Sequence, residues 1–369
     1  RGQKSSYITA INHLFGEGMG EGKSLFTWGD AGQGELGNGT TTPDLSSPAQ
    51  VGALTTWSSV SGGLNISASI KSIGTLHTWG RNIAGALGDN STTDRSSPVQ
   101  VGVLSDWNTV SAGGSFMLGI RSNGVLMSWG LGSSGRLGNG STSSVSVPVQ
   151  IGAFTSWSVI SASLGAFSAA ITVSRTLYTW GINTEGQLGD GTTSPRSVVT
   201  QVGALSDWVD VAAGQAHCIA LKADGTIWSW VRNAEGQLGD GTTTPQSSPI
   251  QIGALTNWVA VYAGRRFSVA LKIDGSLHVW GEGTSGQIGN GAASSVSSPV
   301  QVGTLTDWDR LSTGRDHWLA VKADNTLWAC GSNVVGRLGD GTTTSRSSPV
   351  QIGVLTTWSR VGAGEDHSI

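Results

Sequence analysis

The sequence predicts an all-β fold: a β-propeller of seven four-stranded blades, about 50 residues to the repeat. Three observations predict it. The Trp of a TWG-like signature recurs at Trp28, Trp79, Trp129, Trp180, Trp230 and Trp280, and Cys330 takes the seventh place. A second Trp recurs without exception at Trp57, Trp107, Trp157, Trp208, Trp258, Trp308 and Trp358. The Gln of QVG or QIG keeps step at Gln50, Gln100, Gln150, Gln201, Gln251, Gln301 and Gln351. A period of this length, sustained through a chain, means a solenoid or a propeller.

The unit decides between them. In the copy spanning 208–252, WVDVAA, HCIALK and TIWSWV are short runs rich in β-branched and aromatic residues. HCIALK alternates, with His217, Ile219 and Leu221 on one face and Cys218, Ala220 and Lys222 on the other. The ADG at 223–225 predicts a hairpin turn in which Gly supplies positive φ. A long polar loop, EGQLGDGTTTPQSSP, leads to PIQIG as a fourth strand. Four strands per repeat without helical periodicity make a propeller blade.

The copies align with one another. The Ala220 column holds Ser69, Gly119, Ala170, Ala270 and Ala320, small residues expected of strands crowded near a central axis. The Lys222 column holds Lys71, Arg121, Thr172, Lys272 and Lys322 and predicts an exposed, mostly basic ring. In the LGDGT loop, Asp89, Asp190, Asp240 and Asp340 alternate with Asn38, Asn139 and Asn290. Charge is exchangeable there while turn-forming ability is kept, so the loop reads as scaffold. Calcium is the alternative, because Asp-Gly clusters bind it.

The chain ends part-way into a strand of the HCIALK type, and KSLFTWG at 23–29 is the strand that would pair with it. Residues 23–369 are therefore expected to form the ring, closed by strands from both termini. Residues 1–22 read as an arm or linker. Their SSYITAINHLFGEGMGEG resembles a decayed copy of the C-terminal end, displaced from the ring because both cannot occupy one blade. Cys218 and Cys330, more than two repeats apart, are expected on different blades as buried thiols.

Composition narrows the function. Gly is 56 of 369 residues, about twice its usual share, and only 12% of residues are charged. Sixteen Trp carry enough apolar area to make a disordered chain implausible. A net charge of −3 gives no basic face for nucleic acid in bulk. No apolar run approaches the roughly 20 residues of a membrane-spanning helix. The first residue is Arg1 and no signal peptide is visible, which reads as a fragment or processed product and leaves the compartment open.

Residues quoted from one repeat carry a family likeness. GQAHCIALKADGTIWSW at 214–230 followed by NAEGQLGDGT at 233–242 resembles the regulator of chromosome condensation repeat. The likeness runs from about Lys23 to Ile369 and implies a seven-bladed β-propeller. The SSPVQVG-type insert is similar to the longer bacterial and viral versions of the repeat. The family includes an exchange factor for the small GTPase Ran that docks on chromatin, a bacterial inhibitor of β-lactamases, and surface or virion proteins. Fold alone does not choose among these. No exchange wedge or chromatin-binding tail is recognisable in the sequence.

Candidate chemistry is sparse. His217, His317 and His367 share a column with Ile66, Phe116, Phe167 and Phe267, so they read as packing residues. His77 and His278 read as surface strand residues. No HExxH, CxxC or nucleophile elbow occurs, and GEGMGEG at 16–22 lacks the Lys-Ser/Thr of a phosphate loop. No catalytic residue, cofactor or metal site is therefore expected.

The informative columns are those that vary. The two residues before the His217 position are bland in the first half: Leu64-Asn65, Gly114-Ser115, Gly165-Ala166 and Gln215-Ala216. Later they are Arg265-Arg266, Arg315-Asp316 and Glu365-Asp366, a candidate partner-binding rim. Trp228, Trp318 and Trp328 break the Trp pattern and are candidate exposed contacts, for a glycan among others. The expected function is a non-catalytic scaffold for macromolecular recognition, foremost a structural or adhesive component of a bacterial or viral surface. A soluble regulator of one protein, either inhibitor or exchange factor, and a glycan-binding lectin are the alternatives. Another protein, or a subunit of a larger assembly, is the expected partner; no nucleic acid and no membrane insertion are expected.

Overall fold

The computed structural model describes residues 23–369. Six consecutive four-stranded antiparallel sheets follow one another, and a seventh joins the two ends of the chain. In the fourth blade the strands are Trp208–Ala213, His217–Lys222, Ile227–Val231 and Gln246–Gln251, paired in that order. The Trp208-type strands of neighbouring blades lie against one another, so they are innermost. The Gln246-type strand is outermost, its residues half-buried or exposed.

The columns are now explained by packing. His217–Lys222 is second from the axis, so crowding at the axis does not account for the small Ala220 column. The Trp rings do: a Cβ on Gly119 would lie 2.5 Å from Trp107 Cζ3 and 3.4 Å from Trp129 Cη2. The Lys222 column is not an exposed ring. Lys222 Nζ sits 5.1 Å from the Trp208 ring and 4.9 Å from Trp228, and Lys71 and Lys272 cover Trp57 and Trp258 in the same way. Their aliphatic stems cover aromatic surface while the ammonium meets the ring face. His77 and His278 are also interior, only 7% exposed and packed edge-on against Trp57 and Trp258.

The first Trp ring latches five of the blades to the one before; Trp129 fills the same place, but its indole N–H has no partner among the described residues. Trp28, Trp79, Trp180, Trp230 and Trp280 donate their indole N–H to the carbonyls of Arg337, Glu35, Arg136, Gln187 and Gln237, at 2.8–3.2 Å. Each acceptor belongs to the GQLG-type loop of the preceding blade. Thr27, Thr78, Ser128, Thr179 and Ser229 hold the loop from inside the same blade by donating to the carbonyl of its Leu. The repeated loop is thus the socket for the next blade's Trp.

The seventh blade pairs Phe26–Gly29 with Leu45–Gln50 on one side and with His367–Ser368 on the other. Trp28 faces Ser368 and Gly29 faces His367, so strands from both ends of the chain close the ring. Ala363 bridges Ser368, and Gly362 exchanges backbone hydrogen bonds with Ile369 at 3.0 and 2.8 Å. The expected displacement of residues 1–22 lies outside the described residues. Cys218 and Cys330 lie on the fourth and sixth blades, both buried.

Candidate partner-binding face

Alternating strand direction places the loops at two ends of the propeller. The loops after the innermost strands and the GQLG-type loops share one end, called the upper face here. The hairpins of the ADG type and the loops leading to Trp57 and its copies share the other.

A ring of blade-to-blade backbone hydrogen bonds frames the upper mouth of the channel. Leu64 N–H reaches Gly113 O, Gly114 reaches Ser163 O, Gln215 reaches Arg265 O, Arg265 reaches Arg315 O, Arg315 reaches Gly364 O and Glu365 reaches Gly63 O, at 2.9–3.3 Å. At the third-to-fourth blade step the Ser163 hydroxyl donates to Gly214 O instead, at 2.6 Å. The rim residues read from the sequence project from this ring.

They are not free side chains. Arg265 pairs with Asp316 of the next blade at 3.4 Å, and Arg315 pairs with Glu365 of the next at 2.7 Å while its Nε lies 3.3 Å from Asp316. Asp366 pairs with Arg337, which is almost fully buried. Arg266 lies between Glu235 and Glu282 at 3.5 and 3.8 Å, and Arg232 also reaches Glu235. The sequence presents these residues as unneeded by the scaffold. The structure makes them a belt over the fourth to seventh blades, which holds their side chains in fixed positions. Such half-exposed pairs stabilise little individually, on the order of 1 kcal/mol or less. Their consequence is an ordered set of blade-to-blade ion pairs, which among the described residues is confined to one sector.

The three aromatic candidates separate. Trp318 is not exposed: it is fully buried, and its indole N–H donates to Gln287 O at 2.9 Å. Trp228 and Trp328 are partly buried beneath Lys222 and Lys322, and each donates to a Thr hydroxyl, Thr226 and Thr326, at 3.0 and 2.9 Å.

The Asp/Asn alternation has a cause that the single column hid. Asp89, Asp190, Asp240 and Asp340 occur where Asn82, Asn183, Asn233 and Asn333 stand seven residues earlier, each donating Nδ2–H to the carboxylate. The same carboxylates accept from the backbone N–H two residues on, and three of them pair with Arg95, Arg196 and Arg346. Where Ala31, Gly132 and Gly283 replace the Asn, the chain has Asn38, Asn139 and Asn290, followed by apolar Leu45, Val145 and Val296 in the Arg column. The Asp oxygens are therefore engaged within their own loops. Among the described residues, no three acidic, His or Cys side chains are grouped to hold a metal ion.

The shared-column histidines each meet a Ser of the following blade. His217, His317 and His367 Nε2 lie 2.9, 3.1 and 2.9 Å from the hydroxyls of Ser268, Ser368 and Ser67. Those hydroxyls donate onward to Gln237, Arg337 and Glu35 carbonyls, the same oxygens that receive the Trp indoles. Each Ser can then only accept from the imidazole, which places a proton on Nε2. Burial depresses the pKa of His217 to about 4 and that of His367 to about 3. A neutral, immobilised imidazole hydrogen-bonded to a structural Ser is a packing element rather than a nucleophile-base pair.

Two consequences are measurable. The depressed His217 favours folding fully above pH 6.5, and this contribution is lost as pH falls towards about 4. His217→Phe, the residue its column holds in three other blades, should lower the pH midpoint of acid unfolding and change neutral stability by only about 1 kcal/mol, the worth of one hydrogen bond. Acid titration followed by Trp fluorescence tests this; an unshifted midpoint counts against it. Glu35 has the opposite sign. Fully buried, with one carboxylate oxygen lacking a partner among the described residues, it is pushed up to about 7 by desolvation. Its contribution is fully present below pH 4.5 and is lost as pH rises through 7. Gln187, Gln237 and Gln287 fill the same column, so Glu35→Gln should raise stability at pH 8 by about 2–3 kcal/mol and leave it little changed at pH 4. Urea unfolding at the two pH values checks the difference.

None of the described residues forms a helix long and apolar enough to cross a membrane. Seven segments, 24–70, 74–120, 123–171, 176–221, 224–271, 274–321 and 324–369, match the regulator of chromosome condensation (RCC1) repeat. Among solved structures the chain is similar to human WBSCR16, with 21% identity over 94% of this chain and 97% of that one and a TM-score of 0.83. It is also similar to Prp20p from Saccharomyces cerevisiae, described with its binding properties to Gsp1p and histones, with 20% identity over 98% and 93% of the two chains and a TM-score of 0.86. Yeast RCC1 (Prp20) bound to Kap60 is similar at 19% identity over 98% and 90%, with a TM-score of 0.85. At these identities the likeness is one of fold.

Proposed function

This chain belongs to the RCC1 repeat family, and from that premise we propose that it is a non-catalytic propeller that binds and regulates another protein through its upper face. The observation that carries the reading is the asymmetry of that face. The seven sockets, Trp latches and loop turns repeat around the ring, yet the charged rim residues are confined to the fourth to seventh blades. A scaffold of repeated parts has no structural need for such a sector, whereas a partner with complementary charge does. Prp20p, similar in fold, is described as binding Gsp1p and histones, which supports a protein as the partner class.

The other roles fit less well. Stacking of a sugar on Trp228 or Trp328 would compete with Lys222 and Lys322, which already cover those rings. A bacterial-surface or virion subunit, the role the sequence put first, gains no support from the described residues or from the similar structures. Cross-linking mass spectrometry of the protein in its native extract tests the proposal. A single protein cross-linked near the upper-face loops, and lost when Arg266 and Arg315 are both changed to Glu, is the expected result. A protein without a cross-linked neighbour, or a partner held equally by that variant, would overturn it.

A further inference from the structure

Arg136 and Arg337 occupy the same position of the repeat, in the GQLG-type loops of the second and sixth blades. Their guanidinium groups sit alike. Arg337 Nη1 lies 3.5 Å from Glu365 O, and Arg136 Nη1 lies 3.5 Å from Gly165 O, the matching carbonyl of the next blade. The residue after that carbonyl differs. Beside Arg337 it is Asp366, which forms an ion pair with it; beside Arg136 it is Ala166.

Arg136 is only 9% exposed. Its hydrogen bonds go to neutral oxygens alone: Nε to Ser133 O at 3.0 Å, Nη1 to Gly114 O at 3.2 Å and to Gly165 O, and Nη2 to the Ser133 hydroxyl at 3.0 Å. Four contacts leave one of its five N–H groups. The Phe116 ring lies 5.8 Å from its Cζ. Among the described residues no carboxylate comes within ion-pair distance, and desolvation lowers its pKa. Three other blades carry Gln in this position, so the socket does not need a cation. A largely buried charge without a counter-ion is costly.

We propose that the upper face over the second and third blades receives an acidic side chain of a protein partner, which supplies to Arg136 the carboxylate that Asp366 supplies to Arg337. The inference rests on the protein-binding reading and names its chemistry. The loops beside Arg136, Gly114-Ser115 and Gly165-Ala166, carry no charge of either sign that would repel such a group. The partner then spans both halves of the face, acid towards Arg136 and a mixed pattern towards the belt.

The test is calorimetric titration at low salt with an end-blocked peptide of alternating Asp and Gly, and with its Lys-for-Asp counterpart as control. Wild type should bind the acidic peptide and not the basic one. Arg136→Gln should weaken binding at least tenfold. Ala166→Asp, which places the counter-ion within the chain, should weaken it equally while raising the melting temperature, so that loss of binding is not loss of folding. Arg175→Gln, in the hairpin between Phe167–Thr172 and Leu177–Gly181 at the opposite end of the propeller, should leave binding unchanged. Equal binding by wild type, Arg136→Gln and Ala166→Asp, or no binding by wild type, overturns the proposal. A native partner that cross-links to wild type and to Arg136→Gln in equal yield also overturns it, and leaves the protein-binding reading standing.

Discussion

Gly239→Ala should destabilise the propeller by about 3 kcal/mol or more, and Gly289→Ala by markedly less, although both glycines occupy one column of the repeat. The comparison separates two causes that usually act together. Both have positive φ, 82° at Gly239 and 77° at Gly289, so the backbone cost of a Cβ, about 1 kcal/mol or a little more, is common to both. The surroundings differ. A Cβ on Gly239 would lie 2.5 Å from Trp280 Nε1 and 2.9 Å from its Cδ1 and Cε2. Trp280 cannot retreat, because it is fully buried and its N–H is held by Gln237 O, two residues before the glycine. At Gly289 the Trp is replaced by Cys330, and the nearest atoms would be Val302 Cγ1, Trp318 Cζ2 and Cys330 Sγ at 3.2, 3.3 and 3.5 Å. Overpacking of a rigid site typically costs about 1–3 kcal/mol beyond the backbone term. Chemical unfolding of the two variants measures the difference. Equal losses would mean that φ alone demands glycine, and that the loop is not a socket for the following Trp.

The fold was legible because a propeller writes its architecture as a period. Trp, Gln and Gly columns fixed the number of blades, the strands and the ring closure. What single columns could not give was their coupling. Asp240 and Asn290 looked interchangeable until Asn233 and Gly283 were seen beneath them, yet those pairs were present in the sequence seven residues apart. The rim charges were legible as an anomaly but not as pairs. Arg265 meets Asp316 across a blade boundary, 51 residues away, and that contact depends on the angle between blades, which no period encodes. Arg136 is inconspicuous in the sequence for a related reason. A basic residue in a column of Gln looks like solvated variation, and its significance lies in the missing acid at Ala166.

Trp318 and Cys330 show the same coupling at its strongest, and they carry the second large expected effect. Each breaks its column: Trp stands where other blades have Ser67, Met117, Ser168, Cys218, Ser268 and Ser368, and Cys stands where six blades have Trp. The two are directly opposite in the antiparallel pair, so the breaks are one event. The indole of Trp318 fills the volume left at Cys330, edge-on to Trp308 at 5.8 Å, and donates to Gln287 O, the acceptor due to the absent Trp. Trp318→Ser alone should therefore cost about 3–5 kcal/mol, the usual range for emptying a buried aromatic site, and leave Gln287 O without its donor. Cys330→Trp alone should also destabilise, because two indoles would then compete for one space. The double variant Trp318→Ser/Cys330→Trp restores the arrangement of the other blades and should recover most of the stability, with a coupling energy of several kcal/mol in a double-mutant cycle. Additive losses would sink the exchange, and with it the claim that every blade needs one indole in the socket of the preceding one, whichever strand provides it.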